Sequence, residues 1–454
     1  MTMQRPIRRI LVANRGEIAV RVQRACRELG LQTVQVYSEA DRDSLAVRMA
    51  DYAVCIGPAR SSDSYLRGDR VVEAARAMSA QAVHPGYGFL SENAAFARLC
   101  ENEGLIFIGP RGDVIAKMGD KASARAMAVA ADVPVTPGSS GVISTAADAL
   151  DTASSLGYPV ILKAVAGGGG RGMRVVHSES ELPAAFDAAS RESKAAFGDG
   201  SMYVEKFLTC IRHVEIQILS DGNNVLHLGE RDCSSQRRNQ KLVEESPSPG
   251  LSPRMREEMG EAAVRLCRHV GYTSAGTIEC IVDPASDRFY FMEMNTRVQV
   301  EHPVTECVTG IDIVKEQIRI ASGEPLMLQQ SDIQMHGHAI ECRINAEDAE
   351  RGFAPSPGRI IGLHVPGGPG VRVDSHLFDG YVVPPNYDSL IAKLICWGKD
   401  RDEAIARTRR ALAELRIDGV KTTAKFIDRL VDSDDFRRGA VHTQFVQQFM
   451  ESQQ

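Results

Sequence analysis

One stretch near residue 300 constrains the fold most, because its chemistry alternates with a period of two along FMEMNTRVQVEH, from Phe291 to His302. If the stretch is extended, one face is polar and the other is apolar. The polar face consists of Glu293, Asn295, Arg297, Gln299 and Glu301, and the apolar face of Met292, Met294, Val298 and Val300. A half-buried strand with one solvated face shows the same alternation. Such a face is usually rich in Thr, Lys and Ser, whereas these side chains suit cation binding, forked anion binding and proton transfer.

The length of this polar face predicts that the stretch bends or serves several ligands. Neighbours on one strand face lie about 6.5–7 Å apart, so five of them would span roughly 26 Å. A single small ligand cannot bridge that distance. We therefore divide the face into a metal end, Glu293 and Asn295, and an anion end, Arg297, Gln299 and Glu301.

Composition restricts the functional class. The 454 residues have room for about three domains, and 43% apolar with 25% charged residues is typical of a globular protein. With a net charge of −6, the chain lacks the overall positive charge expected of a protein that binds nucleic acid or an anionic membrane. The ten cysteines contain no C-x-x-C pair, which indicates reduced thiols. With no signal-like or membrane-spanning apolar run in the sequence, we expect a cytoplasmic protein.

The first part of the chain predicts an α/β domain. Residues 10–13 and 33–37 have strand patterns, and residues 16–29 between them have a helix pattern that Gly30 ends. The alternation continues through a strand at 53–56, helices near 69–78 and 92–102, and a strand at 106–108. The loop HPGYGF at 84–89 follows a strand, where an open parallel sheet presents ligand-binding residues, although a plain turn fits equally well.

A glycine run at 167–172, GGGGRG, follows a strand at 160–165 that carries Lys163. The run contains G-x-G-x-x-G, but MRVV after it indicates a strand, not the helix of a dinucleotide site. No G-x-x-x-x-G-K-[ST] occurs, which excludes a P-loop. The pattern predicts a strand–glycine loop–strand hairpin whose backbone N–H groups fold over phosphates. A flexible surface hairpin with no ligand remains the alternative.

Later elements bring a second carboxylate towards the metal end. Strands at 277–282 and 289–294 are expected to pair, which places Glu279 near Glu293. Two carboxylates with the amide of Asn295 suit Mg²⁺ bridging nucleotide phosphates. The residues alone therefore predict an ATP- and Mg²⁺-dependent ligase that acts on a small oxyanion.

The remaining elements are predicted from periodicity and end signals. We expect helices at 146–156, 181–196, 253–270, 314–320 and a last helix at 403–415, and strands at 203–208, 214–219, 224–228 and 338–344. The polar run at 230–241 receives no element.

Seven motifs, taken together and in order, closely resemble the biotin carboxylase family. They are ANRGEIAVR (13–21), HPGYGFLSEN (84–93), MGDK (118–121), KAVAGGGGRGM (163–173), ERDCSSQRRNQK (230–241), EMNTRVQVEHPVTE (293–306) and ECRINAED (341–348). The resemblance implies an α/β protein of the ATP-grasp fold. Its parts would be a Rossmann-like α/β domain at 1–112, an ATP-grasp domain at 113–334 with a mobile glycine-rich lid at about 136–207, and an α+β C-terminal domain at 335–450.

The same resemblance implies a role for each matching residue. Nucleotide binding would fall to Lys121, Lys163, Gly168, Gly169, Gly170, Glu205, Lys206, Leu208, His213, Gln236 and Asn239. Glu279, Glu293 and Asn295 would hold Mg²⁺ or Mn²⁺. Bicarbonate would be held by Lys241, Arg297, Gln299 and the backbone of Val300, with Glu301 as the general base and Arg343 stabilising the biotin enolate.

The implied reaction is the ATP- and bicarbonate-dependent carboxylation of biotin through carboxyphosphate. No Met-Lys-Met biotinylation motif occurs in the sequence, so we expect the biotin to be held by a separate biotin carboxyl carrier protein. The expected partners are that carrier, carboxyltransferase subunits and a second copy of the chain, with acetyl-CoA carboxylase the expected system. Propionyl-CoA, pyruvate or urea systems, a different ATP-grasp amide ligase and an inactive nucleotide-binding subunit remain alternatives.

Two residues depart from the family pattern. Asn239 stands where the pattern has His, and Asn386 stands where it has Tyr. Because Asn239 lies two residues before Lys241, it bears on nucleotide affinity and pH dependence.

Overall fold

The computed structural model describes residues 6–165 and 173–453. Its strands are β1 Arg9–Val12, β2 Gln32–Ser38, β3 Tyr52–Gly57, β4 Ala82–His84, β5 Ile106–Phe107, β6 Val160–Ala164, β7 Met173–Val176, β8 Met202–Lys206, β9 Arg212–Ser220, β10 Val225–Arg237, β11 Gln240–Ser246, β12 Ser274–Asp283, β13 Arg288–Asn295, β14 His338–Asn345, β15 Glu347–Asp348, β16 Ala354–Pro355, β17 Gly358–Arg359, β18 Gly362–His364, β19 Val371–Ser375, β20 Val382–Val383, β21 Leu390–Gly398 and β22 Arg416–Asp418.

The α-helices cover the faces of these sheets. They are α1 Gly16–Glu28, α2 Leu45–Met49, α3 Gly68–Ala77, α4 Ala94–Asn102, α5 Gly112–Gly119, α6 Lys121–Ala130, α7 Ala146–Leu156, α8 Leu182–Phe197, α9 Pro253–Val270, α10 His302–Thr309, α11 Ile313–Ala321, α12 Arg401–Glu414, α13 Ala424–Asp432, α14 Asp434–Arg437 and α15 Phe445–Ser452. Within the described ranges, no helix combines the length and the apolar character needed to cross a membrane.

The N-terminal part forms a parallel sheet in the order β3-β2-β1-β4-β5. This order and the helices between its strands confirm the predicted Rossmann-like α/β unit. Its strands are apolar on both faces because helices cover both, and Ile10, Leu11 and Val12 are fully buried. The carboxyl ends of β1 and β4 meet at one edge, where Asn14 donates hydrogen bonds to the carbonyls of Pro85 and Tyr87. The HPGYGF loop therefore lies beside the start of α1.

An eight-stranded antiparallel sheet forms the centre of the molecule, in the order β13-β12-β9-β10-β11-β14-β21-β19. Strand β14 pairs with β11, with Cys342 opposite Val243, so strands from the last third of the chain extend the sheet begun by β9 to β13. The sheet is continuous across residue 334, where a domain boundary was predicted from resemblance, and the boundaries themselves stay predictions.

A three-stranded sheet, β7-β6-β8, carries the glycine hairpin. Strands β6 and β7 are antiparallel neighbours, with Lys163 opposite Met173, which confirms the two strands predicted on either side of the glycine run. Helices α7 and α8 pack against this sheet around Leu162 and Phe186. The predicted phosphate-binding glycines Gly168, Gly169 and Gly170 lie outside the described residues.

Three predictions about local structure were wrong. The strand at 224–228 extends to Arg237, and the polar run forms most of the β10–β11 hairpin. Burial of polar residues there is possible because they are paired, as Arg231 is with Glu215 at 2.6 Å. The helix at 403–415, which is α12, is not the last, since α13, α14 and α15 follow it.

The third error concerns the apolar face of the 291–302 stretch. Met292 is 40% exposed, because Glu293 pairs with Glu279 whereas Phe291 already pairs with Cys280, leaving one extra residue on β13. Strand β13 ends at Asn295 and the chain then turns into α10. The bend, one of the two predicted alternatives, is therefore observed, and it brings the anion end back to the metal end, since Gln299 Nε2 lies 2.8 Å from Glu279 Oε1.

Candidate active site

A single cleft of about 1520 Å³ collects the predicted site residues. It lies where the parallel sheet, the hairpin-bearing sheet and the central sheet meet. Its lining includes every predicted site residue that the structure describes, namely Lys121, Lys163, Glu205, Lys206, Leu208, His213, Gln236, Asn239, Lys241, Glu279, Glu293, Asn295, Arg297, Gln299, Val300, Glu301 and Arg343.

Lys241 lies at the centre of the cleft among three carboxylates. Its Nζ is 2.7 Å from Glu215 Oε2, 3.0 Å from Glu279 Oε1 and 2.5 Å from Glu301 Oε1. Burial alone would lower the pKa of Lys241, but the carboxylates hold its pKa well above the usual value. Lys241 is therefore a fixed cation that holds these three carboxylates together.

Sequence reasoning missed Glu215, and it missed Arg231. The Arg231 guanidinium is fully buried and donates to Glu215, to Gln217 and to Gln299 Oε1 at 3.0 Å. It thereby fixes Gln299, whose Nε2 donates to Glu279 Oε1 at 2.8 Å. A signal for Glu215 was present, because His213, Glu215 and Gln217 alternate with apolar residues along β9, as in the 291–302 stretch.

Glu301 is held between two cations. One carboxylate oxygen contacts Lys241, and the other accepts a hydrogen bond from Arg343 Nη2 at 2.9 Å. Burial would raise the pKa of Glu301, but Lys241, Arg343 and Arg231 together hold it well below the usual value. The Glu301 side chain is therefore an anion.

The metal end contains two facing carboxylates. Glu279 and Glu293 are direct neighbours on β12 and β13. Burial and the charge of Glu279 raise the pKa of Glu293, so a divalent cation between them would offset both effects. Two carboxylates are also the ligands that Mg²⁺ prefers, and these residues fit such an ion.

Asn295 connects the metal end to the anion end. Its Nδ2 donates to Glu279 Oε1 at 2.9 Å, and its Oδ1 accepts from Arg297 Nη2 at 3.0 Å. His213 Nε2 lies 3.0 Å from the other oxygen of Glu279. Hydrogen bonds therefore hold one oxygen of Glu279, and the contact with His213 lies at the other.

Arg297 is anchored by the N-terminal unit. Its Nε donates to Glu92 Oε2 at 2.8 Å, while Glu92 Oε1 accepts from the backbone N–H of Thr296 at 3.0 Å. Glu92 belongs to the HPGYGFLSEN motif, but no role was predicted for it. Its partners lie more than two hundred residues along the chain, which no local pattern reveals.

The nucleotide end of the cleft combines charge with an apolar wall. Lys163 forms an ion pair with Glu205 across neighbouring strands β6 and β8. Lys206 is tied elsewhere, because its Nζ donates to the carbonyls of Gly157 at 2.9 Å and Tyr158 at 3.0 Å. The wall is lined by Ile161, Leu208, Ile281, Phe291 and Met292.

Asn239 occupies the tip of the β10–β11 hairpin. Arg237 pairs with Gln240, so the loop has two residues, Arg238 with φ 48° and Asn239 with φ 64°. Positive φ at both positions matches a type I′ turn, in which Asn is a favoured residue. Asparagine therefore suits this turn while lining the cleft.

Asn386, the other departure, also lines the cleft and is exposed. The next residue, Tyr387, connects the C-terminal part to the N-terminal unit. Its hydroxyl donates to the carbonyl of Ala59 at 2.5 Å, and Arg15 lies 4.1 Å from its ring centroid. The substitution at 386 therefore leaves this connection in place.

The three sheets and the Lys241-centred cleft define an ATP-dependent ligase of the ATP-grasp class. Family models match three consecutive parts of the chain: "Biotin carboxylase, N-terminal domain" at 6–115, "Carbamoyl-phosphate synthase L chain, ATP binding domain" at 120–329 and "Biotin carboxylase C-terminal domain" at 341–448. The chain belongs to the biotin carboxylase family and is an enzyme that uses ATP, Mg²⁺ and biotin.

Relatives resemble the chain over nearly its whole length. Biotin carboxylase 1 of Bacillus subtilis is 55% identical over 98% of this chain and 99% of its own. A pyruvate carboxylase component of Methanothermobacter thermautotrophicus is 54% identical over 97% of this chain and 90% of its own. The biotin carboxylase domain dimer of Hydrogenobacter thermophilus 2-oxoglutarate carboxylase, in complex with MgADP, ADP and bicarbonate, superposes with a TM-score of 0.90 at 50% identity over 98% of each chain.

Proposed function

We propose that the cleft carboxylates biotin through carboxyphosphate with Glu301 as the general base. The observation that carries this assignment is the position of Glu301 between Lys241, at 2.5 Å, and Arg343, at 2.9 Å. A carboxylate held by two cations is a weak base. Bicarbonate arriving at Lys241 shares that cation's charge, which raises the proton affinity of Glu301 as the substrate binds.

The anion site that we propose consists of Lys241, Arg297, Gln299 and the backbone of Val300. Arg297 and Lys241 supply positive charge from two sides, and the amide of Gln299 is fixed by Arg231. Anchoring by Glu92 orders Arg297 before the anion arrives. Groups ordered in advance stabilise developing charge without reorganisation during the reaction.

The nucleotide half would hold ATP against the apolar wall, with Glu205, Lys206 and Leu208 at the adenine end. Lys121, Lys163 and the glycines Gly168, Gly169 and Gly170 would hold the phosphates, with the hairpin closing over them as a lid. His213, Gln236 and Asn239 would complete the nucleotide site. Glu279, Glu293 and Asn295 would hold Mg²⁺, which when bound neutralises phosphate charge.

The reaction balances with these groups. Glu301 takes the proton of bicarbonate, a carbonate oxygen attacks the γ-phosphorus, and ADP leaves as carboxyphosphate forms. Carboxyphosphate then breaks down to CO₂ and phosphate, and the phosphate takes the ureido proton of biotin. The resulting enolate attacks CO₂, while Arg343 stabilises its negative oxygen.

We propose further that the biotin is borne by a separate carrier protein and that the chain serves acetyl-CoA carboxylase as a homodimer with carboxyltransferase subunits. Support for a separate carrier comes from the sequence, in which no Met-Lys-Met occurs. Support for a chain of this kind comes from relatives of similar length whose own names are simply biotin carboxylase. Acceptors such as propionyl-CoA, pyruvate or urea are the competing assignments.

The decisive experiment follows ADP release by the purified chain in the presence of ATP and Mg²⁺. We expect turnover to require bicarbonate and to rise when biotin or a biotinylated carrier is added. Turnover that depends neither on bicarbonate nor on biotin would contradict the proposed reaction. The acceptor is then assigned by adding each candidate carboxyltransferase and following labelled bicarbonate into acetyl-CoA, propionyl-CoA or pyruvate.

A further inference from the structure

A row of charged residues crosses one face of the central sheet, linked by strand register. Glu293 lies opposite Glu279, which lies opposite Glu215, which in turn pairs with Arg231. Further along, Glu244 lies opposite Glu341, Arg343 opposite Lys393, and Lys393 opposite Asp374. The first half of this row forms the cleft described above. The second half, beyond Arg343, has no role in the proposed reaction.

Lys393 is the cation in the second half of the row, and its side chain is fully buried. Its Nζ donates to the backbone carbonyl of Val300 at 2.8 Å and lies 3.1 Å from Glu17 Oε1. Burial would lower the pKa of Lys393, but Glu17, Glu341 and Asp374 raise it above the usual value. Lys393 is therefore a charged donor aimed at one backbone carbonyl.

That carbonyl belongs to the peptide bond immediately before Glu301. Two neighbouring strands therefore hold two consecutive residues: Arg343 on β14 binds the Glu301 carboxylate, and Lys393 on β21 binds the Val300 carbonyl. The segment between Asn295 and His302 forms no strand or helix, and the backbone bond that spans the Val300–Glu301 peptide, from the His302 N–H to the Gln299 carbonyl, is long at 3.4 Å. The contact with Lys393 adds a shorter bond at the carbonyl inside this turn.

We propose that Lys393 is a positioning residue that fixes the Val300–Glu301 peptide, so that the base and the backbone of Val300 face bicarbonate together. This inference rests on the proposed function. Lys393 lines no part of the cleft, whereas Val300 and Glu301 do. It acts through the peptide that it holds, and the effect is expected on bicarbonate and on the chemical step, not on nucleotide binding.

The test compares Lys393→Met with the wild-type protein. We expect the kcat of bicarbonate-dependent ATP hydrolysis to fall at least tenfold and the KM for bicarbonate to rise about fivefold or more, because a 1 Å displacement can cost a hundredfold in rate. The Kd for MgADP is expected to stay within twofold. Trp397→Phe is the matched control on the same strand, since it also loses one bond to a backbone carbonyl, that of His336.

A purely structural role is tested by the double variant Glu17→Gln/Lys393→Met. This variant removes the carboxylate that Lys393→Met leaves without its cation, so folding stability is expected to recover while kcat stays low. Recovery of kcat together with stability would overturn the inference, as would unchanged kinetics in folded Lys393→Met. Failure of both variants to fold would assign Lys393 to folding alone and would likewise overturn it.

The wild-type protein measured in parallel separates this inference from the function on which it rests. A wild type without bicarbonate-dependent turnover contradicts the proposed function. An active wild type with an equally active Lys393→Met contradicts only the positioning role.

Discussion

Glu244 and Glu341 lie directly opposite each other on β11 and β14, and both are fully buried. Arg343 Nε donates to Glu244 at 2.5 Å, whereas neither oxygen of Glu341 has a hydrogen-bond partner among the described residues. Burial raises the pKa of Glu244 to about 7, and burial raises that of Glu341 well above its usual value. Burial therefore favours the protonated form of both carboxyl groups.

We predict that Glu341→Gln flattens the pH dependence of stability. Both folded-state pKa values lie above the unfolded ones, so the stability contributed by the pair is full below about pH 4.5 and falls as pH rises towards 7 and beyond. Where the folded state keeps one proton that the unfolded state has lost, the free energy of unfolding falls by about 1.4 kcal/mol per pH unit. Glutamine keeps the shape of the side chain and removes one such proton. The free energy of unfolding of the variant therefore rises relative to that of the wild type as pH rises.

Urea unfolding at several values between pH 5 and pH 8 measures this difference. Glu350→Gln, at an exposed position on the same part of the chain, serves as the control and should follow wild type. Parallel slopes for Glu341→Gln and wild type would show that the buried pair holds no extra proton.

Replacing Glu301 by Gln is predicted to lower the kcat of bicarbonate-dependent ATP hydrolysis by about 10²–10⁴-fold, the range expected for loss of a general base. The amide keeps the size of the side chain but cannot take a proton. Nucleotide binding, measured as the Kd for MgADP, should change little because the proposed adenine and phosphate contacts lie elsewhere in the cleft. Glu301→Asp, which keeps a carboxylate, should retain more activity. Full turnover by Glu301→Gln would remove Glu301 as the base.

The 291–302 stretch shows what the sequence could predict and what it could not. Its alternation indicated the polar side chains that line the cleft, and its length indicated either a bend or several ligands, since side-chain type and spacing are local properties. The exposure of Met292 was not predictable, because it follows from one extra residue opposite β12. The residue that holds Val300 was also missed, since Lys393 is 93 residues away and becomes its partner only when β21 joins the sheet.

Buried strands made of polar residues were the other feature that could not be predicted from the sequence. Residues 230–237 resemble a solvent-exposed loop in composition, yet Glu230, Arg231 and Asp232 are all buried. Their ion pairs with Arg256, Glu215 and Arg212 compensate for the lost water, and these partners come from α9 and β9. The resemblance to a family predicted the residues that line the whole cleft, whereas periodicity alone predicted only those of its metal and anion ends.

Glu92→Gln is predicted to raise the KM for bicarbonate by about three- to tenfold with little effect on the KM for ATP. The substitution weakens the anchor of Arg297, but the pair is partly exposed, with 38% of the Glu92 side chain accessible, so its contribution is modest. Glu103→Gln, which breaks the exposed pair with Arg76 in the same unit, is the control. Steady-state kinetics with each substrate varied in turn make the measurement. An unchanged KM for bicarbonate would show that Arg297 needs no anchor.

Asn239→His is predicted to change the acid side of the pH–rate profile more than the rate at neutral pH. Histidine also tolerates the left-handed conformation that this turn requires, so the variant should fold. A histidine beside the phosphates would gain charge near pH 6.5, but at neutral pH it is mostly uncharged, and Lys121, Lys163 and Lys241 already supply cations. Profiles of kcat from pH 5.5 to 8.5 for both proteins test this. If the native protein is inert and Asn239→His restores turnover by orders of magnitude, the chain is a degenerate nucleotide-binding protein whose asparagine is the cause.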